Sequence, residues 1–482
     1  MSDVHAASDD RAAIEQLAKT FTLQKKAFAA QPYPDLAERK AHLGALGAML
    51  MRYRPRIREA MSADFAVHPG VFTDLVEVLG VVGRAAYTAE HIETWAKPEE
   101  RFADPNFVGS GKAFVQFQPK GVIGNIVPWN FPFDLSLGPL VDMLAAGNRV
   151  IMKPSEFTPA CAEILAAMIR ETFDADRVSV AVGGIDLAKH FASMRWDHLL
   201  YTGSPKIGRQ IALAAAANLV PGTLELGGKC PVVLTGDSLD RDTVSHILGV
   251  KMVKNGQMCI SVDYCLVPRA QVPKFVELAQ SYMRETMPDY SSGEHCAGII
   301  SQAHYDRLVG LLDEAKRKGG TVVQLDEKGA FDRTSRRMPL SLVIDPAADS
   351  ALMQEEIFGP ILPVIPYDDI DQAIAGINAG ERPLGLYVFT RDTALGEKVL
   401  RETVSGGACI NACAMQGAIP ALGFGGVGQS GTGRHHGIDG FREFSNPRGV
   451  FVRGEGGALN TFLPPYGDFA KAAVTAVFGS AD

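Results

Sequence analysis

Two successive runs of alternating strand and helix signals constrain this chain more than any other feature. In the first, short apolar strand signals at 149–153, 178–182 and 198–201 alternate with helical stretches at 160–172 and 207–217. The second begins near Leu224. Its strand signals fall at 231–234, 264–267, 321–323, 340–344, 361–365 and 385–389, with helices such as 272–285 and 304–318 between them. Such a rhythm predicts an α/β fold with parallel, doubly wound sheets, whose ligands bind at the carboxyl ends of the strands. A chain of 482 residues is too long for one hydrophobic core and fits two or three domains.

The flanking segments differ. Residues 9–96 read as helix throughout, because Leu43, Leu46, Met49 and Leu50 recur at helical spacing and Pro32, Pro34 and Pro69 mark the breaks. Strand signals at 113–118 and 121–127 are joined by the turn-prone Pro119-Lys120-Gly121. Beyond Gly423 the chain is glycine-rich and then extended, which suits an arm more than a core.

Composition narrows the function. Net charge is −8, from 47 basic and 55 acidic residues, with no basic stripe, so nucleic acid is not an expected partner. Seven cysteines without a CxxC pair argue against a disulfide framework or a zinc site and for a reducing compartment. Cys409 and Cys413 lack the further ligands a metal site requires. The polar N-terminus has no signal-peptide pattern. No run reaches the ~20 apolar residues that span a bilayer. A cytoplasmic protein without metal or membrane partner is expected.

Several segments could carry chemistry, each with a plainer alternative. Cys259, in Asn255-Gly256-Gln257-Met258-Cys259, could be a nucleophile or a small core residue. Thr202-Gly203-Ser204-Pro205 follows a strand and opens a helix, either as an ordinary cap or as a phosphate site. Glu225, before Leu226, Gly227 and Gly228, could be a general base or a solvated turn acid. Asn130, in Pro128-Trp129-Asn130-Phe131-Pro132, could be an oxyanion donor or a turn residue. Glu355-Glu356-Ile357-Phe358 could meet a ribose and a nicotinamide, or form an acidic surface turn.

The combination and order of these motifs resemble the aldehyde dehydrogenase superfamily from about residue 10 to 465. The motifs are Pro-Trp-Asn-Phe-Pro (128–132), Lys-Pro-Ser-Glu (153–156), Thr-Gly-Ser (202–204), Glu-Leu-Gly-Gly-Lys (225–229), Gly-Gln-x-Cys (256–259), Glu-Glu-Ile-Phe-Gly-Pro (355–360) and Phe-Gly-Gly-x-Gly-x-Ser-Gly (424–431). Tyr201, Asp263-Tyr264 and Pro464-Pro465-Tyr466-Gly467 make the chain similar to the class 3 group, including bacterial coniferyl aldehyde dehydrogenases. The tail is shorter than the apolar anchor of that group's membrane-bound members.

This resemblance implies a Rossmann-like dinucleotide-binding domain (1–112 and 122–224), a catalytic domain (225–422), an oligomerisation arm (113–121 and 423–455) and a C-terminal tail (456–482). It implies Cys259 as nucleophile, Glu225 as base for thioester hydrolysis and Asn130 as oxyanion donor. Ile126, Pro128, Trp129, Lys153, Glu156, Thr202, Gly203, Ser204, Leu226, Gly227, Glu356 and Phe358 would bind the cofactor. Glu156 favours NAD, with NADP as the alternate. A homodimer is implied.

Phe131, Phe133, Tyr201, Met258 and Met415 suggest an apolar mouth for aromatic, coniferyl-type or medium-chain aldehydes. The loop 411–424 departs from its relatives, which commonly carry Asp after Asn411, His near Gln416 and Pro at Gly423. Rival expectations are a coenzyme A-acylating or semialdehyde dehydrogenase of the same superfamily, or a non-catalytic cofactor-binding protein. An intact Glu225 speaks against acylation of coenzyme A.

Overall fold

The computed structural model describes residues 10–479; residues 1–9, part of the N-terminus expected to lack a secretion signal, lie outside this range, as do 480–482. The first alternating run forms a six-stranded sheet in the order Gly431–Thr432, Gly222–Leu226, His198–Gly203, Val122–Ile126, Arg149–Lys153, Val178–Val180. Only the Gly431–Thr432 strand runs antiparallel to its neighbour. Its strands are covered on both faces. Val122, Ile151 and Leu199 pack with Leu187, Phe191 and Trp196, while Ile123, Val150 and Leu200 pack with Leu43, Leu140 and Leu165. Burial on both faces explains why these strands read as unbroken apolar runs.

The second run forms a seven-stranded sheet: Thr321–Gln324, Ser341–Ile344, Ile361–Tyr367, Tyr264–Pro268, Pro231–Leu234, Gly385–Phe389, Gly407–Ile410. Only Thr321–Gln324 is antiparallel to its neighbour. The strand Gly407–Ile410 carries too little apolar bulk to stand out in the sequence. A third, antiparallel sheet joins Glu99–Arg101, Lys112–Pro119 and Ser445–Val452.

One sequence expectation needs revision. The segment 9–96 is not uniformly α-helical: between the helices Leu36–Phe65 and Val81–Trp95 lies a π-helical stretch, Asp74–Gly80. There Glu77 is drawn inward to a buried lysine, and π turns often mark functional sites. The strands at 112–119 and 122–126 are adjacent in sequence yet enter different sheets. The chain turns between them at Gly121, with φ +141°, where a Cβ would overlap the Asp197 carboxylate. Lys112–Pro119 is the central strand of its sheet, so Ser445–Val452 holds the free edge. The tail ends in the helix Asp468–Phe478, which buries no side chain. No helix among the described residues is long and apolar enough to cross a membrane.

Candidate active site

Cys259 and Cys409 are the only cysteines that are not buried. Cys259 follows a backbone turn of unusual kind: Lys254, Asn255 and Gly256 all adopt positive φ, at 48°, 55° and 79°. A Cβ at Gly256 would overlap the Gly359 carbonyl, so this position requires glycine. Such a run persists only where its surroundings hold it.

Several contacts do so. Gln257, fully buried, donates to the carbonyls of Lys254 and Gly298 at 2.8 and 3.0 Å and accepts from the Ile300 amide at 2.9 Å. Cys230 donates to the Cys259 carbonyl at 3.4 Å, and the Tyr387 hydroxyl donates to that of Ile260 at 2.7 Å. Lys254 reaches Glu77 at 2.7 Å, with both side chains wholly inaccessible. The same ammonium donates to the Asn130 carbonyl. The second Glu77 oxygen accepts from the amides of Phe133 and Asp134 at 3.0 and 2.8 Å. Burial pushes the Glu77 carboxyl up and the Lys254 ammonium down, and the attraction between them opposes both shifts. Asn130 Nδ2 donates to the Gln257 carbonyl at 3.3 Å. One buried ion pair therefore ties the Asn130 loop to the cysteine loop.

Cys259 stands where two cavities meet. One, of about 230 Å³, is lined by Pro128, Trp129, Asn130, Thr202, Gly203, Ser204, Glu225, Leu226, Gly227, Glu356 and Phe358. Nearly all of the expected cofactor residues thus converge. Ile126, Lys153 and Glu156 are not in its lining; they lie on adjoining strand ends, where Ile126 pairs in register with Lys153 and Lys153 holds Glu156 at 2.8 Å. His304 and Arg307 also line the cavity and went unrecognised in the sequence. His304 packs edge-on against Trp129 at 5.4 Å, and Arg307 donates to the carbonyl of Ile357. Their helix register carried no motif; only the fold brings them here.

The charge state of this cavity follows from burial. Both oxygens of Glu225 are buried without a hydrogen-bond partner among the described residues, and burial holds its carboxyl well above the ordinary range. Burial, with Asp263 nearby, raises Glu356 to about 8. The Cys259 thiol is pushed up by burial first and then by Glu356 and Glu225. The amides of Ile260 and Cys259 act in the opposite direction but do not prevail.

The residues present fit a dinucleotide. Ser204 caps the helix Pro205–Ala216, accepting from the Ile207 amide at 3.4 Å, so its N-terminus suits a phosphate. Thr202 Oγ1 and Glu356 Oε1 are buried and unpartnered among the described residues, as groups awaiting ribose or amide contacts would be. At Gly203 and Gly227 a Cβ would overlap the Tyr201 hydroxyl and the Glu356 carboxylate.

The second cavity, of about 430 Å³, is mostly apolar and includes Phe72, Leu75, Val76, Phe131, Met258 and Met415. Of the expected mouth residues, Phe131, Met258 and Met415 are present. Phe133 and Tyr201 are not in its lining: Phe133 packs among the helices on one face of the first sheet and Tyr201 in the core on the other. Phe72, Leu75 and Val76 replace them, from the irregular stretch around the π turn. In the departing loop, Gln416 turns inward, accepting from Cys409 Sγ at 2.9 Å, while Met415 and Ala418 face the cavity.

An α/β fold built on two large sheets, with a thiol where a cleft beside a capped helix N-terminus meets an apolar cavity, points to a dinucleotide-linked oxidoreductase. The aldehyde dehydrogenase family model matches residues 4–450, and the chain belongs to the aldehyde dehydrogenase family. It is 39% identical over 451 residues to a probable coniferyl aldehyde dehydrogenase of Caulobacter vibrioides, covering 92% of this chain and 93% of that protein. The substrate-bound Staphylococcus aureus AldH superposes with a TM-score of 0.89 at 32% identity, covering 95% of this chain and 99% of that one. A Mycobacterium tuberculosis aldehyde dehydrogenase complexed with NAD+ superposes with a TM-score of 0.82 at 27% identity, covering 92% and 91%.

Glu77→Gln leaves Lys254 buried without its counter-charge and should cost about 3–5 kcal/mol of stability, read as a lower thermal midpoint. Glu77→Leu with Lys254→Met removes the unpaired charge but strands the Phe133 and Asp134 amides and the Asn130 carbonyl, so it should recover only part of that midpoint, while aldehyde turnover stays depressed because Asn130 loses its lysine contact. Full recovery of turnover in the double variant would contradict a positioning role for Lys254.

Proposed function

We propose that the chain oxidises an aromatic, coniferyl-type or medium-chain aldehyde to its carboxylic acid through a thioester on Cys259, with NAD as the preferred acceptor and NADP as the alternate. The observation that carries this reading is the position of Cys259 at the junction of the two cavities: an apolar aldehyde and a dinucleotide can reach the same sulfur from opposite sides. The naming of the relative as a probable coniferyl aldehyde dehydrogenase and the NAD+ of the related structure support the substrate class and the cofactor.

In this reading the Cys259 thiolate adds to the aldehyde carbonyl, forming a carbon–sulfur bond and an oxyanion. The Asn130 side-chain NH2 and the Cys259 backbone N–H donate to that oxyanion; losing one such donor typically costs about 3–4 kcal/mol of transition-state stabilisation. When bound, NAD would supply the two-electron acceptor for the aldehyde hydrogen, leaving the acyl group on Cys259 as a thioester. Glu225 then takes a proton from water, whose oxygen attacks the thioester and releases the acid and the thiol. A carboxyl held buried and unpartnered is a stronger base once ionised than a solvated one.

Ser204 and the following amides would hold the pyrophosphate, Glu356 the nicotinamide ribose, and Lys153 with Glu156 the adenosine ribose. Trp129 and Phe358, in edge contact at 5.3 Å, would wall the cleft with Pro128, Ile126, Thr202, Gly203, Leu226 and Gly227. The proposed dinucleotide-binding domain comprises 1–112 and 122–224, the catalytic domain 225–422 and the arm 113–121 with 423–455. The free edge of Ser445–Val452 supports pairing of the arm in a homodimer. Seven cysteines, all free thiols, support a cytoplasmic location.

The direct test is a panel of cinnamyl-type, benzyl and aliphatic aldehydes assayed with NAD and NADP, and the highest kcat/KM is expected for a cinnamyl-type substrate with NAD. A clear preference for short aliphatic aldehydes would refute the substrate class. Cys259→Ala should abolish turnover while NAD still binds. Glu225→Gln should give one burst of reduced cofactor per site and then stall, and steady turnover without a burst would count against Glu225 as the base. Because Cys259 and Glu225 are both held protonated, kcat/KM should climb from neutral into alkaline pH; a profile that is flat or falls over that range would contradict the burial argument.

A further inference from the structure

The wall of the apolar cavity beside Cys259 contains a polar cluster that the chemistry above leaves unused. His435 is wholly buried, and neither ring nitrogen has a hydrogen-bond partner among the described residues. Its main chain is fixed by paired hydrogen bonds with Phe424 of 2.7 and 2.8 Å, and its ring lies 5.2 Å from the Phe424 ring. Phe424 lines both cavities, as Cys259 does. On the other side, Arg84 donates to His436 Nε2 at 2.7 Å and pairs with Asp134. Its Nε, in the same cavity wall, is also buried and unpartnered among the described residues.

Buried polar groups without partners are costly and call for a physical explanation. Burial, aided by the Arg84 charge, lowers His435 to about 3, so its imidazole is neutral and offers one donor and one acceptor. A hydroxyl can donate and accept in the same way. A carboxylate could only accept, and the Arg84 charge is already met by Asp134. A cationic group would be repelled by Arg84.

We infer that His435 is a specificity-determining residue, selecting aldehydes that carry a hydroxyl group on an otherwise apolar body by hydrogen bonding to that hydroxyl. The inference rests on the proposed aldehyde oxidation and names the substrate class of that site. His435 lies in the glycine-rich segment after Gly423, and its two main-chain hydrogen bonds to Phe424 fix its place in the cavity wall.

The test compares kcat/KM for cinnamaldehyde and its 2-, 3- and 4-hydroxy derivatives in the full-length wild type, His435→Phe and His435→Gln. At least one hydroxylated substrate should be favoured by about ten-fold in the wild type, the size of one neutral hydrogen bond. That ratio should collapse in His435→Phe and be partly retained in His435→Gln, which keeps a donor and an acceptor. Calorimetric binding of the matching hydroxylated and plain cinnamate acids to the wild type should show the same preference without relying on any variant. Equal kcat/KM for all four substrates in the wild type, a preference that survives in His435→Phe, or succinic semialdehyde outperforming them all would overturn the inference. Turnover without discrimination sinks this inference alone, whereas no cofactor reduction with any aldehyde sinks the proposed function as well.

Discussion

The site depends on the buried pair of Glu77 and Lys254. Charges this deep are poor sources of stability, because desolvation offsets most of their attraction; what they provide is position. Glu77 comes from the π-helical stretch Asp74–Gly80 and binds the amides that follow Asn130, while Lys254 opens the left-handed run before Cys259 and binds the Asn130 carbonyl. Three segments remote in sequence are thereby set in one register. A hydrophobic replacement could fill the same volume, but it could not satisfy the Phe133 and Asp134 amides and the Asn130 carbonyl together. The polar pair is retained where backbone groups of two loops need fixed partners in a dry interior.

Burial also shapes the chemistry. Glu225, Glu356 and Cys259 line one small cavity, and burial moves each toward its neutral form. Three anions there would repel one another across a low-dielectric space, so the resting site keeps its protons. Neutral resting groups allow a negatively charged dinucleotide to approach without meeting a wall of carboxylates. They also place the burden of ionisation on the reaction itself.

Much of this was legible in the sequence, for physical reasons. Parallel strands buried on both faces announce themselves as short apolar runs, and the cavity is lined from their carboxyl ends, so the places of Thr202, Glu225 and Leu226 are legible from the strand pattern. The glycines at 203, 227 and 256 were legible because close approach leaves no alternative residue. The Glu77–Lys254 pair was not, since a lone Glu in a helix and a Lys before a turn look like surface charges until tertiary contacts bury them. His304 and Arg307 were hidden for the same reason, as ordinary polar positions on an amphipathic helix. Phe133 and Tyr201 were misplaced because an aromatic residue next to a functional loop gives no sign of which way it faces.

The loop 411–424 shows how a departure from relatives can leave the scaffold intact while changing the cavity. Gln416 spends its side chain inside, accepting from Cys409 and donating to the Tyr387 hydroxyl at 3.4 Å, and Tyr387 in turn donates to the carbonyl of Ile260 beside the thiol. A polar residue at that position therefore helps hold the cysteine loop and stays out of the cavity lining. With Gln416 committed inward, its neighbours Met415 and Ala418 are left to form the apolar wall. The opposite wall comes from Phe72, Leu75 and Val76, around the π-helical turn that also delivers Glu77. Positioning of the thiol and shaping of the substrate cavity thus share the same two segments, so a change that retunes one is constrained by the other.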